Sequence, residues 1–321
     1  MVKSVKRIKQ DEKNLTNHLE DYKKVDIVFR EIRKDSVGRS ASNPIWGLVF
    51  NVRNGKLKLN TIGEGLYKEF DYDYPNASYA EKIYSIIGES VLDNTRVPNI
   101  DIVTEIPKEP SIISYKLINT EKEDMYHISD LMYYIYDRDE VSEKKNIFTI
   151  EDILKCVKEQ VKDEENYKQV ERSIIHTMLL DATLNNGDRH NNNWALVRNK
   201  QTNFYELAIF DHSSSLVDII EEKSYFTSNG WVGSYIMAGE KQIGKLCVGS
   251  SGDKIIKYIA NNYPEYFDEF ADIFNEKLPS IIEEIKQEKL PIDMRRLEEK
   301  LKQRNRFLRK MRDREELEYD Q

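Results

Sequence analysis

The chain has 321 residues, which suits one large domain or two lobes at ~100–200 residues per domain. Hydrophobic residues make up 39% and charged residues 33%, with both signs interspersed, as in a folded protein with a strongly solvated surface. The formal net charge of -8 argues against a general nucleic-acid binder, no apolar run reaches the ~18 residues of a membrane span, and the start MVKSVKRIKQDEKNL lacks the apolar centre of a secretory signal.

In chain order, residues 1–24 read as a polar arm or helix. The run VDIVFREI (25–32) is rich in β-branched and aromatic residues and reads as a strand. DSVGRSASNP (35–44) is a loop by composition, and IWGLVFNV (45–52) is the next strand. Asn54-Gly55, ahead of Lys56–Leu59, signals a hairpin turn. NTIGEG (60–65) reads as another loop before a strand in which Leu66, Lys68 and Phe70 share one face. Pro75-Asn76 opens a helix with Ala80, Ile83, Tyr84 and Ile87 as its apolar stripe. Short apolar runs over 97–118 predict further strands. Beyond about residue 120 the pattern is helical over 121–136, 149–162 and 165–185, and in pieces over 252–312. A hairpin over 193–216 interrupts it. The expected fold is α+β in two lobes: a small β-rich N-lobe over 25–115 with one helix, and a larger, mainly helical C-lobe over 116–321. The join falls near Ser111–Asn119.

The segment LNNGDRHNNNWALV (184–197), followed by AIFDHSSSL (208–216), carries the chemistry. The helix ending near 185 is expected to stop at Gly187, so GDRHNNN must be a loop between a helix and a strand. Asp211 ends the following strand, and the hairpin returns it beside that loop. Phosphoryl transfer needs one carboxylate to take the proton of the attacking hydroxyl, and a second carboxylate with an amide oxygen to hold magnesium. Asp188 and Asn193 have the spacing D-x-x-x-x-N of that arrangement, and Asp211 fits the distal metal-binding acid.

GDRHNNN resembles the GDRHxxN catalytic loop of the phosphatidylinositol kinases. DRHNNNWAL with IFDHSSSL is closer still to the HipA-like kinases, including the small stand-alone CtkA type; both lineages share the protein-kinase-like fold. The resemblance is sharp over about 170–216 and loose elsewhere. It implies an ATP- and Mg2+-dependent serine/threonine protein kinase, with Asp188 as catalytic base and Asn193 and Asp211 as magnesium ligands. By the same resemblance, His190 would stabilise the transferring phosphoryl group. The sequence departs from relatives in two places. The eukaryotic D-F-G is Asp211-His212-Ser213 here, so a phenylalanine switch is not expected, and Asn192 stands where the HipA loop has a lysine.

A kinase also needs a lysine for the phosphates and a glutamate to hold it. Lys68 and Glu81 are the candidates, in the same strand-then-helix order as in the HipA-like family. An edge-strand lysine and a solvated glutamate are the bland alternative. Lys56 and Lys58 compete less well, since alternation turns them away from Leu57 and Leu59. The loop holding Gly38, Ser40 and Ser42 lies where a kinase covers the phosphates, and its small residues would let backbone N–H groups approach. An ordinary hairpin loop has the same composition. In HipA-like kinases a serine near this loop can be autophosphorylated, which marks Ser40 and Ser42. Backbone groups of 111–118 would pair with adenine, and Tyr115 reads equally as core.

His176 reads as a satisfied core histidine, Trp194 as packed beneath the loop, and Ser213–Ser215 as a helix cap. The C-terminal stretch has a stripe of Leu297, Leu301, Leu308 and Met311, with Arg304, Arg309 and Arg312 on a solvated face. Cys156 and Cys247 are far apart, which speaks against a disulfide framework or zinc site and fits a reducing cytoplasm. Expected partners are a protein substrate and an antitoxin or regulatory protein, with neither nucleic acid nor membrane. The rival functions are a phosphoinositide or small-molecule kinase, and a non-catalytic pseudokinase of a toxin–antitoxin or phage-defence module.

Overall fold

The computed structural model describes residues 2–8, 26–33, 45–53, 56–71, 74–105, 109–135, 149–189, 192–216, 220 and 252–313, without the side chains of 33, 53 and 56–62. The amino-terminal region is β-rich. Strands β1 (Lys3–Ile8), β2 (Ile27–Arg33), β3 (Ile45–Arg53), β4 (Lys56–Lys68), β7 (Ser111–Tyr115) and β6 (Ile100–Thr104) close into a barrel in that order. Val5, Ile27, Phe29, Val49, Tyr67, Val103 and Ile113 fill its interior. Fully burying such a side chain stabilises the fold by ~1.5–3 kcal/mol.

Three features differ from the sequence reading. Residues 3–8, expected as an arm or helix, form β1, which closes the barrel by pairing in parallel with both β2 and β6. Their polarity hid the strand, because the cations meet acids on neighbouring strands: Lys3 Nζ lies 2.7 Å from Asp101 Oδ1 and Arg7 Nε 2.5 Å from Glu31 Oε1. NTIGEG is not a loop but the middle of β4. Gly47 and Gly65 face each other across β3 and β4. A Cβ at Gly47 would lie 2.3 Å from Phe29 Cζ, and one at Gly65 2.9 Å from Ile113 Cγ2. These glycines admit close packing rather than a turn. The expected sheet is thus a closed barrel. Arg53 pairs with Lys56, the register that the expected hairpin requires, while Asn54 and Gly55 themselves lie outside the described residues.

Helix α1 (Ala77–Val91) packs outside the barrel, against β6 on one side and the helical region on the other. Ile83 and Ile87 are fully buried, in one cluster with Ile100, Ile102 and Ile112 of the barrel's outer face. A second sheet has the order β5 (Thr95–Arg96), β10 (Tyr205–Ile209), β9 (Trp194–Asn199), β8 (Glu123–His127). The helix expected over 121–136 is therefore β8 followed by α2 (Ile128–Ile135). The five residues of β8, Glu-Asp-Met-Tyr-His, show no decisive period, and pairing with β9 decides their state.

The carboxy-terminal region is helical: α3 (Ile150–Gln160), α4 (Glu164–Leu184), α5 (Gly252–Asn262), α6 (Pro264–Gln287) and α7 (Met294–Arg312). A capping box of Thr149 and Asp152 starts α3, and Asp163 caps α4. Helix α4 ends earlier than Gly187. Asn185 adopts φ 59°, ψ 44° and its N–H bonds Asp181 O, the left-handed stop that asparagine tolerates. Leu297, Leu301 and Leu308 are buried as the stripe requires. Arg304 is not merely solvated, since its Nη1 donates to Thr183 O at 2.6 Å, among the unpaired carbonyls that end α4. Among the described residues no helix is long and apolar enough to cross a membrane.

Candidate functional site

Lys68 is the last residue of β4. Alternation turns Tyr67 into the barrel, so Lys68 projects outward toward α1. Its Nζ donates to Glu81 Oε1 at 2.7 Å and to Asp211 Oδ1 at 3.0 Å. Glu81 is 2% exposed, not a solvated glutamate. Burial alone would lower the Lys68 pKa, but the two carboxylates outweigh it and hold the ammonium above the ordinary lysine range. Burial likewise opposes charge on Asp211, and Lys68 outweighs it, keeping Asp211 below the usual carboxylate range. Burial pushes Glu81 up against the pull of Lys68. The competitors Lys56 and Lys58 have side chains outside the described residues.

The second half of the site is the turn after α4. Asn193 Nδ2 donates to Asp188 O at 2.8 Å, closing the loop between them, and Asp188 is exposed. Phe210 N donates to Asn193 O at 3.0 Å, just beyond the register pair Trp194 and Ile209, so the hairpin sets Asn193 diagonally across from Asp211. Asp211 itself has φ 59°. Ser213, one of three serines expected to cap the start of whatever follows Asp211, donates to Asp211 Oδ1 at 3.1 Å. With Asp211 Oδ1 taken by Lys68 and Ser213, and Asn193 held through Nδ2, the oxygens Asp211 Oδ2 and Asn193 Oδ1 face no protein donor among the described residues. One carboxylate and one amide oxygen suit magnesium, which completes its shell with water and phosphate.

Beneath this site lies a group that the sequence reading overlooked. Asp181 and Arg189 form an ion pair at 2.9 Å with both side chains 0% exposed. Arg189 also donates to Asn193 O (2.8 Å), Phe210 O (2.7 Å) and His212 Nδ1 (2.8 Å). Asp181 Oδ1 accepts from Tyr84 OH (2.8 Å) and Asn186 Nδ2 (2.7 Å). The His212 ring stacks on Tyr84 with centroids 3.8 Å apart and planes 10° from parallel. A guanidinium can only donate, so His212 Nδ1 accepts and the ring is neutral. Burial, Arg189 and Lys68 all depress its pKa. The available sequence signal was Asp181 itself, an acid inside the apolar run of a buried helix.

The structure therefore brings Lys68, Glu81 and Asp211 into contact, and joins Asn193 and the Asp188 loop to them through the hairpin. Gly38, Ser40, Ser42 and His190 lie outside the described residues, as do Cys247 and the stretch 221–251. Tyr115 packs on the barrel core, and the amides of Tyr115 and Lys116 are already spent on Asn99 O and Glu64 O. His176 is satisfied, with Nε2 3.0 Å from Tyr266 O, and Trp194 is fully buried. A cavity of about 450 Å³ lined by Glu89, Arg96, Val97, Tyr115, Lys116 and Leu117 includes part of the 111–118 segment but none of Lys68, Glu81, Asn193 and Asp211.

A β-rich region with one packed helix, followed by a helical region with an inserted hairpin, is the fold of solved HipA-like kinases. One is the proinflammatory kinase CtkA of Helicobacter pylori, with a TM-score of 0.61, 17% identity, and coverage of 88% of this chain and 95% of that one. Another is HipA of the Shewanella oneidensis toxin–antitoxin system, solved with HipB and operator DNA, with a TM-score of 0.55, 12% identity, and coverage of 88% and 68%. No protein-family model and no curated protein sequence matches the chain.

Proposed function

We propose that the chain is an ATP- and magnesium-dependent kinase of the HipA-like kind, transferring the γ-phosphate to a serine or threonine hydroxyl of a protein. The barrel with α1 serves as the small lobe, about residues 25–115 with β1 added, and 116–321 as the large lobe. The observation that carries this reading is Lys68 Nζ bonded at once to Glu81 and Asp211, at 2.7 and 3.0 Å, from three separate elements. Such a buried arrangement orients an ammonium toward phosphate and sets a metal-binding carboxylate beside it.

In this reading Lys68 meets the phosphates and Glu81 keeps it charged and in place. Asp188, exposed at the loop, takes the proton of the acceptor hydroxyl as its oxygen bonds the γ-phosphorus and the bond to the bridging oxygen breaks. His190 sits two residues on, where it would meet the transferring group. Asn193 Oδ1 and Asp211 Oδ2 would hold Mg2+, which supplies charge neutralisation of the triphosphate when bound. Gly38, Ser40 and Ser42 belong to the proposed phosphate-covering loop. An antitoxin or other regulatory protein is the partner class carried into the proposal, by likeness to HipA with its HipB.

The test is radiolabelled ATP with the pure protein and a cell lysate, comparing wild type with Asp188→Asn and Asp211→Asn. Label should pass to protein in the wild type alone. Wild-type transfer no greater than that of Asp211→Asn would end the enzymatic reading, and label in lipid on thin-layer separation would move the acceptor to the phosphoinositide class.

A further inference from the structure

Helix α1 must be held at one height over the loop that follows β10, or the contact of Glu81 and Lys68 with Asp211 is lost. The Lys68 contacts alone do not hold it, since each is a single bond to a long, flexible side chain. The rigid link lies one turn further along α1. Tyr84, fully buried, lays its ring flat on His212, the residue next to Asp211. The His212 backbone N–H also lies close enough to the Glu81 carboxylate to favour its charged form.

His212 is in turn fixed from below. Arg189 donates to its Nδ1, and to the carbonyls of Phe210 and Asn193, so one guanidinium grips the chain on both sides of Asp211 and at Asn193. Asp181 anchors that guanidinium and also takes the Tyr84 hydroxyl, closing a ring of four side chains from α1, α4, the loop and the end of the hairpin. Buried ion pairs are weak sources of stability but enforce one arrangement when every lone pair is used. Among the described residues His212 Nε2 is buried without a partner, so hydrogen bonding at that nitrogen does not explain the residue. A histidine here is accounted for by its acceptor nitrogen toward Arg189 and its flat face toward Tyr84.

We propose that Tyr84 and His212 are positioning residues: their stacked rings, seated on the Asp181–Arg189 pair, lock helix α1 to the segment carrying Asp211. The proposal rests on the kinase reading only for its catalytic consequence, because the coupling itself exists in the free protein.

Two readouts separate those layers. The first is amide hydrogen exchange of the full chain without nucleotide, following 77–91, 205–216 and, as control, 264–287. Tyr84→Leu or His212→Leu should each quicken exchange in both 77–91 and 205–216 by about tenfold, the scale of an aromatic pair, with 264–287 unchanged. Tyr84→Phe keeps the stack and should stay within about threefold of wild type, whereas His212→Phe keeps the ring face but strands an Arg189 N–H and should fall between wild type and His212→Leu. Acceleration confined to the substituted segment, or phenylalanine variants as damaged as the leucine ones, would overturn the coupling. The second readout is steady-state transfer from ATP. The leucine variants should lose about 100-fold in kcat with KM for ATP nearly unchanged, as for a misplaced group. An unchanged kcat with raised KM would overturn the positioning role. A wild type that turns over no ATP would end the kinase reading, and hydrogen exchange would then decide the coupling by itself.

Discussion

Two charge clusters lie within one turn of α1 from each other and are built on opposite terms. In the upper one, Lys68, Glu81 and Asp211 meet at the edge of the barrel, and the Asp211 side chain is 30% exposed with Oδ2 left over. In the lower one, Asp181 and Arg189 are sealed at 0% exposure, and both carboxylate oxygens are taken by Tyr84, Asn186 and the guanidinium. A carboxylate with a spare oxygen at a solvent edge can accept a ligand, whereas one whose oxygens are all engaged in the interior can only hold its neighbours. The difference teaches that burial and acid–base pairing do not mark a reactive site, and that the unspent lone pair does.

The sharpest break of that contrast exchanges the two aspartates in turn. Asp211→Asn should lower transfer from ATP by about 10²–10³-fold while the urea midpoint stays close to wild type, because asparagine accepts the left-handed backbone at φ 59° and Lys68 retains Glu81. Asp181→Ala should instead show first in stability, costing about 3–5 kcal/mol by stranding a buried guanidinium. Equal stability losses in the two variants would erase the distinction.

A smaller effect comes from a third buried group, in neither cluster. Burial and Arg172 lower the His176 pKa to about 4. The unfolded chain then binds a proton from ~6.5 downward while the folded one does not, so stability is lost as pH falls from ~6.5 toward 4. The loss is on the order of 3 kcal/mol, and His176→Phe should flatten that slope in urea titrations at stepped pH. Within the upper cluster Glu81, whose pKa burial raises, binds its proton more readily in the folded state and works against this slope as pH falls, whereas Asp211 and Lys68 contribute nothing to the window. Asp211, with its pKa lowered, keeps its contribution until pH falls below the ordinary carboxylate range, and Lys68, with its pKa raised, keeps its own until pH rises beyond the ordinary lysine range. The smallest effect is that of Glu81→Gln, which retains a hydrogen bond but removes a charge. ATP binding by calorimetry should weaken roughly tenfold, in line with a charge-assisted bond replaced by a neutral one. Unaltered binding would mean that Lys68 is oriented by Asp211 alone.

Local signals were legible where a side chain's role depends on its immediate neighbours in the chain. The spacing of Asp188, Asn193 and Asp211, the strand–helix order of Lys68 and Glu81, the Asn54-Gly55 hairpin and the α7 stripe are all read within a few turns or one hairpin, and geometry over that range follows from period and turn chemistry. What failed was long in range. β1 looked like a solvated arm because its cations are matched by Asp101 and Glu31 from other strands, and NTIGEG looked like a turn because the side chain that fills the space above Gly65, Ile113, comes from β7.

By itself, then, the order of residues determined which oxygens, nitrogens and apolar stripes exist and how they recur along each element. Closing the barrel, adding β8 to the hairpin and seating His212 between Tyr84 and Arg189 were decided only by tertiary packing. The physical reason is that a buried polar group is admitted only where its partners converge, and those partners lie far apart in the sequence.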